Sequence, residues 1–231
     1  MGGISRVIKA VAFDLDGTLY PNYRLYRRLL PRLMLHPRFY NAFSAVRQQL
    51  HSADTETETA SSFYDKQADL MAAFLKEDKK KTKQKLERLV YRDWETLFPG
   101  IELFPHVKET LSAFRDAGLK LALLSDFPPE RKITLLGLEG FFDFILSTEE
   151  TGALKPSGIP FAALIRSLEL LPEEILYAGN SPRFDVKGAK AAGMKAALIK
   201  RSFFSTGHVR YAGGADFVFR DYRQLREYVL E

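Results

Sequence analysis

The chain alternates between short, almost wholly apolar runs and longer stretches in which apolar residues recur every three or four positions. Residues 8–14 read Ile-Lys-Ala-Val-Ala-Phe-Asp, and the turn residues Asp16 and Gly17 follow. A short apolar run closed by turn signals predicts a strand buried on both faces, as in a parallel sheet. Runs at 119–125, 142–146, 175–178, 195–199 and 217–219 have the same character. Helical patterns separate most of them. Val107, Leu111 and Phe114 fall at i, i+4 and i+7, with Gly118 where a C-terminal cap belongs. Phe161, Leu164, Ile165 and Leu168 repeat the stripe, and Pro160 suits a first helical turn. An Ala/Lys-rich stretch over 185–192 stops at Gly193. Strands alternating with helices predict an α/β fold: a Rossmann-like parallel sheet with helices on both faces.

Residues 20–99 differ. No strand pattern stands out, and segments 23–35, 38–50, 61–75 and 79–97 read as helices. Pro31 is expected to kink or split the first of them. Breaks are expected at Pro37, around 52–59 and around 76–78, and Pro99-Gly100 closes the segment. The expected organisation is a core domain of residues 1–19 and 100–231, with an all-helical domain of residues 20–99 inserted after the first strand.

Composition narrows the chemistry. Cysteine is absent from the 231 residues, which removes thiolate metal sites, disulfides and cysteine catalysis. The net charge is +5, and residues 21–99 carry all of it, with 15 basic against 10 acidic residues. Six arginines and no acid lie between Pro21 and Leu50. Such a segment either draws anions or is a solvated helical surface. The Lys79 to Lys85 run reads as a solvated helix face. No run of 18 apolar residues predicts a membrane span, and residues 1–9 lack the long apolar stretch of a secretory signal. A cytoplasmic location is therefore expected. His36, His51, His106 and His208 are too scattered to predict a zinc site. Neither a Gly-x-x-x-x-Gly-Lys-Ser/Thr loop nor a Gly-x-Gly-x-x-Gly turn occurs after a strand. Nucleic acid is not an expected partner: Trp94 and the Tyr and Phe residues between 20 and 43 fall at core spacing. Nothing in the sequence sets the oligomeric state.

The strongest chemical signal is Asp14-Leu15-Asp16-Gly17-Thr18-Leu19, directly after the first strand. Gly17 lets the chain turn away, so both acids can edge an open crevice. Ligands of open α/β sheets bind outside the carboxyl ends of the strands.

This hexapeptide resembles the first motif of the haloacid dehalogenase-like superfamily, mostly phosphatases and phosphotransferases. Leu121-Ala-Leu-Leu-Ser125 is similar to the second motif, Lys155-Pro156 to the third, and the run from Tyr177 through Gly179-Asn180 to Asp185 to the fourth. Gly193-Met194 and the closing strand and helix from Asp216 also fit. The helical insertion matches by position, as a cap domain placed after the first motif. The resemblance implies that Asp14 is a nucleophile that takes the phosphoryl group, and that Asp16 is the general acid and base. Haloacid dehalogenases of the superfamily lack the second Asp, so Asp16 favours phosphoryl transfer. Mg²⁺ is the implied cofactor, with Asp14, the Asp16 carbonyl, Asn180 and Asp185 as its implied contacts. Lys155 is the implied fixed charge at the transferring group. Ser125 and the backbone N–H of Asp126 are implied phosphate contacts. Asn180 departs from the usual Gly-Asp of the fourth motif, and one lost negative charge predicts weaker Mg²⁺ binding. The implied activity is hydrolysis of a small phosphorylated metabolite. A phosphomutase on the same core, or a catalytically weak binding or regulatory protein, stays open at this level.

Overall fold

The computed structural model describes residues 8–52, 60–200 and 213–231. His208 and most of the expected break at 52–59 lie outside these residues. Six parallel strands form one sheet in the order β3-β2-β1-β4-β5-β6. They are β1 (Ala10–Phe13), β2 (Lys120–Ser125), β3 (Phe144–Ser147), β4 (Ile175–Gly179), β5 (Lys195–Ile199) and β6 (Phe217–Phe219). Each expected apolar run is a strand, shifted by at most two residues at an end. Successive side chains of a strand point to opposite faces. Val11, Phe13, Leu121 and Leu123 therefore join one apolar cluster, and Ala10, Ala12, Ala122 and Leu124 join another on the far face. The first face is covered by α6 (Val107–Asp116), α7 (Glu130–Leu135) and α10 (Tyr222–Leu230). The second is covered by α8 (Gly158–Leu168) and α9 (Lys187–Ala191). Both faces are thus sealed, which is why the runs carry so few polar residues.

Between β1 and α6 the chain forms α1 (Asn22–Leu35), α2 (Pro37–Ser52), α3 (Ala60–Leu75), α4 (Lys79–Leu86) and α5 (Asp93–Glu95). Their apolar residues share the first cluster, so this segment packs onto the sheet's core through Leu25, Phe43, Val46 and Phe98 among others. Two expectations are refined here. Pro31 does not split α1: the helix runs through it. A proline removes one bond, here to the Arg27 carbonyl, and both residues are exposed, which keeps the cost of the lost bond low. The expected helix at 79–97 is present over residues 79–95, but its hydrogen-bonding pattern is not uniform. A π-helical stretch, Glu87–Arg92, separates α4 from α5, and Leu86, Leu89 and Val90 are all buried around it.

Five of the six early arginines are engaged by the fold. Arg24 pairs with Glu102. Arg28 donates to the Leu97 and Pro99 carbonyls at 2.7 and 2.6 Å. Arg32 donates to the Asp93 carbonyl at 2.6 Å, and Arg38 to that of Leu75 at 3.0 Å. Arg47 is buried and pairs with Glu149. These guanidinium groups satisfy helix-end carbonyls and acids rather than a free anion-drawing surface. The Lys79 to Lys85 run is a largely exposed face, as expected. Lys79 and Lys83 meet Asp69 and Asp65 of α3 at 2.8 and 2.7 Å.

Candidate active site

The carboxyl ends of β1, β2 and β4 meet at one edge of the sheet. Asp14 follows β1 directly, and its N–H still donates to the Ala178 carbonyl at 2.9 Å. Its side chain is therefore aimed by the sheet ladder. One carboxylate oxygen accepts Thr18 Oγ1 at 2.7 Å, and the other accepts Lys155 Nζ at 2.7 Å. Gly17 then turns the chain at φ +89°, and a Cβ there would lie 2.1 Å from Asn180 Nδ2. Lys155 is 2% exposed. Its ammonium also donates to Asp185 Oδ1 at 2.8 Å and to Tyr177 OH at 3.2 Å. Asp185 sits in a π-helical turn, Pro182–Val186, capped by Ser181, whose Oγ accepts the Phe184 N–H at 3.1 Å. Its second oxygen accepts the Asn180 and Ser181 N–H groups at 3.1 and 2.9 Å. One lysine thus joins two acids from different strand ends.

The electrostatics follow from this crowding. Burial raises Asp14, Lys155 opposes that, and Asp185 and Asp16 add to it, leaving the group at about 7. Burial disfavours the Lys155 charge, but Asp14 and Asp185 outweigh it and hold the ammonium well above its usual range. The edge carries more negative than positive charge.

The other expected residues lie at the same edge. Ser125 ends β2, is fully buried, and its Oγ accepts the Phe127 N–H at 3.3 Å. The Asp126 carboxylate accepts Thr148 Oγ1 at 2.9 Å and the Lys155 N–H at 3.4 Å. Burial alone would raise Asp126, but the Lys155, His51 and Arg47 charges hold it below its usual range. Asn180 directs its Nδ2 to the Asp16 carbonyl at 3.3 Å, beside Asn22 Nδ2 at 3.1 Å.

Four residues at this edge escaped the sequence reading. Lys132 of α7 reaches both Asp16 carboxylate oxygens, and Tyr20 OH donates to one of them. His51, at the end of α2, stacks on Phe184 with ring centroids 4.2 Å apart. Its Nδ1 lies 2.5 Å from the Lys155 carbonyl, which can only accept, so that nitrogen carries the proton. Burial lowers the His51 pKa, with Asp126 acting the other way. Arg47 donates to the Asp126 carbonyl at 2.8 Å and to Gln67 Oε1 at 3.3 Å, and lies 4.3 Å from the Phe127 ring centroid. Its hydrogen-bond partners are 20 to 102 residues away, so no local pattern could disclose them. Gln67 and Tyr91, neighbours of the Arg47–Glu149 pair, line a cavity of about 490 Å³ that none of the strand-end acids lines.

This edge can be set beside known proteins. The profile of the haloacid dehalogenase-like hydrolases matches residues 8–193. A glyceraldehyde 3-phosphate phosphatase of Methanopyrus kandleri is 30% identical over 232 residues, covering 97% of this chain and 98% of that one. A phosphoglycolate phosphatase of Yersinia pestis is 29% identical over 195 residues, covering 81% and 79%. Among solved structures, the HAD phosphatase from Thermococcus onnurineus shares 25% identity, with TM-score 0.64 over 96% of this chain and 97% of that one. The L-2-haloacid dehalogenase from Xanthobacter autotrophicus shares the fold at 20% identity and TM-score 0.67, covering 97% and 99%. The match spans most of the sheet and all four strand-end motifs: the chain belongs to the haloacid dehalogenase-like hydrolases.

Proposed function

We propose that the protein is a divalent-metal-dependent phosphatase of a small phosphorylated metabolite, working through an aspartyl-phosphate on Asp14. The observation that carries this is the Asp14 carboxylate beside the Lys155 ammonium at 2.7 Å, with a second carboxylate two residues on. Phosphate monoesters hydrolyse extremely slowly in water, so both charge stabilisation and a divided reaction are needed. The Asp14 carboxylate attacks phosphorus as the ester P–O bond breaks, and the Asp16 proton passes to the departing oxygen. In the return step water attacks phosphorus, the Asp14–phosphorus bond breaks, and the water proton passes to Asp16. Lys155 offsets charge at the transferring group. Ser125, whose oxygen already accepts Phe127 N–H, keeps its hydroxyl proton for a phosphoryl oxygen. Asp126 offers its backbone N–H alone. Residues 20–99 act as the cap, excluding water and reading the rest of the substrate.

The residues present suit a hard cation. Among the described residues no three His, Cys, Asp or Glu side chains group as a metal site. Mg²⁺ characteristically takes one or two carboxylates plus substrate phosphate, and Asp14, raised to about 7 mainly by burial and further by Asp185 and Asp16, would gain from an added counter-charge. The Asp14 and Asp185 carboxylates and the Asp16 carbonyl would hold it, joined by the Asn180 oxygen once that amide is turned over. Bound there, the ion would orient the phosphoryl group and shield it from the carboxylates.

The test is a screen of phosphorylated metabolites with Mg²⁺, starting from glyceraldehyde 3-phosphate and 2-phosphoglycolate because relatives are named for them. Phosphate release is expected, with Asp14→Asn reducing it by at least about 10³-fold, on the scale of losing a covalent nucleophile. An isomerised product without phosphate release would replace this reading by a mutase. Equal turnover by Asp14→Asn would end it.

A further inference from the structure

Lys132 belongs to none of the motifs read from the sequence. It lies on α7, 6% exposed, and its Nζ sits 2.9 and 2.7 Å from the two Asp16 carboxylate oxygens. The ammonium is flanked by the Phe98 and Phe127 rings, with centroids 5.6 and 5.1 Å away. Burying a lysine is costly unless its charge is met, and Asp16 meets it here. Asp16 itself stands at the crevice rim, its side chain 22% exposed, with Tyr20 OH donating to the oxygen that also takes the longer Lys132 bond. Two donors from different elements therefore grip one carboxylate. A carboxylate in a turn needs no such grip to fold; Asp-Gly turns form without one.

We propose that Lys132 is a positioning residue for Asp16: it fixes the orientation from which that carboxyl group gives its proton to the departing oxygen and takes one back from water. The proposal rests on the phosphatase reading above. Asp16 acts twice in that cycle, on ester oxygen and then on water, and both transfers demand the same narrow placement. Misplacement by about 1 Å can cost about 10²-fold in rate. Lys132 touches neither phosphorus nor the ester oxygen and acts only through Asp16.

The consequence is a dependence on the leaving group. Nitrophenolate departs without a proton, whereas an alkoxide needs one. We would compare 4-nitrophenyl phosphate with glycerol phosphate, with Mg²⁺, in the native protein, Lys132→Met, Lys132→Arg and Tyr20→Phe. For Lys132→Met the expected loss in kcat is about 10²-fold on the alkyl ester and only a few-fold on the aryl ester, the scale of a lost proton transfer. Lys132→Arg, which keeps a donor and a charge, should recover most of the alkyl-ester loss. Tyr20→Phe should show the same split more weakly. Equal losses on both esters, or no recovery with arginine, would overturn the proposal and leave Lys132 as packing. If the methionine variant does not fold, the arginine and phenylalanine variants decide: Tyr20→Phe slowing both esters alike overturns it. Failure of the native protein on both esters would instead strike the phosphatase reading, and this inference with it.

Discussion

The strand-end edge and the helical segment between β1 and β2 use cations in opposite ways. At the edge, Lys155 stands between Asp14 and Asp185, each within 2.8 Å, in a place where acids outnumber bases. In the helical segment, bases outnumber acids in sequence, yet Arg28, Arg32 and Arg38 are bonded to backbone carbonyls. The first arrangement leaves charge imperfectly compensated, which suits the proposed binding of an anionic substrate with a metal ion. The second leaves little over. A basic sequence segment is thus a poor guide to where an anion binds when its guanidinium groups can find helix ends.

This contrast can be broken at its strongest point first. Lys155→Met leaves two buried carboxylates facing each other without a cation. We expect loss of turnover by at least about 10³-fold and a stability loss of about 3–5 kcal/mol, measured by phosphate release and urea unfolding. Arg47→Met removes the one arginine of α2 that reaches the sheet, stranding Glu149, which is fully buried. A loss of about 3 kcal/mol is expected by urea unfolding, with the residual folded protein retaining Asp14-dependent turnover. The exposed Lys83–Asp65 pair lies at the other extreme. Lys83→Ala should leave the melting temperature and turnover unchanged within error, because solvent screens such pairs. If Lys83→Ala cost as much as Arg47→Met, the distinction between surface and bridging charges would fail.

Much of the sheet was legible because burial on both faces leaves a local imprint, a run of apolar residues ended by turn formers. Asp14 and Asp16 were legible because they directly follow a strand in one short continuous motif, whereas Lys155 and Asp185, eight and six residues beyond their strands, were singled out only through the family resemblance. That α1 would run on through Pro31 rather than split there was not legible, because a proline's effect depends on whether solvent can reach the freed carbonyl, which a helical pattern does not reveal. The π-helical stretch at Glu87–Arg92 has no distinct periodicity over so few residues. Lys132 and Arg47 could not be singled out, since an exposed and a buried long cation look alike until a carboxylate more than 100 residues away is brought to them. His51 was set aside for want of neighbouring ligands, and its real partners are a carbonyl and a phenyl ring.

The Asp14 N–H bond to Ala178 ties the proposed nucleophile to pairing register. Side chains on a strand alternate, so a slip of one residue would turn this carboxylate into the oily layer and bring Leu15 out. The same slip would invert Val11 and Phe13. Under the proposed chemistry, misassembled chains would be silenced by the fault that destabilises them, and a molecule able to react would already have passed the test of correct folding.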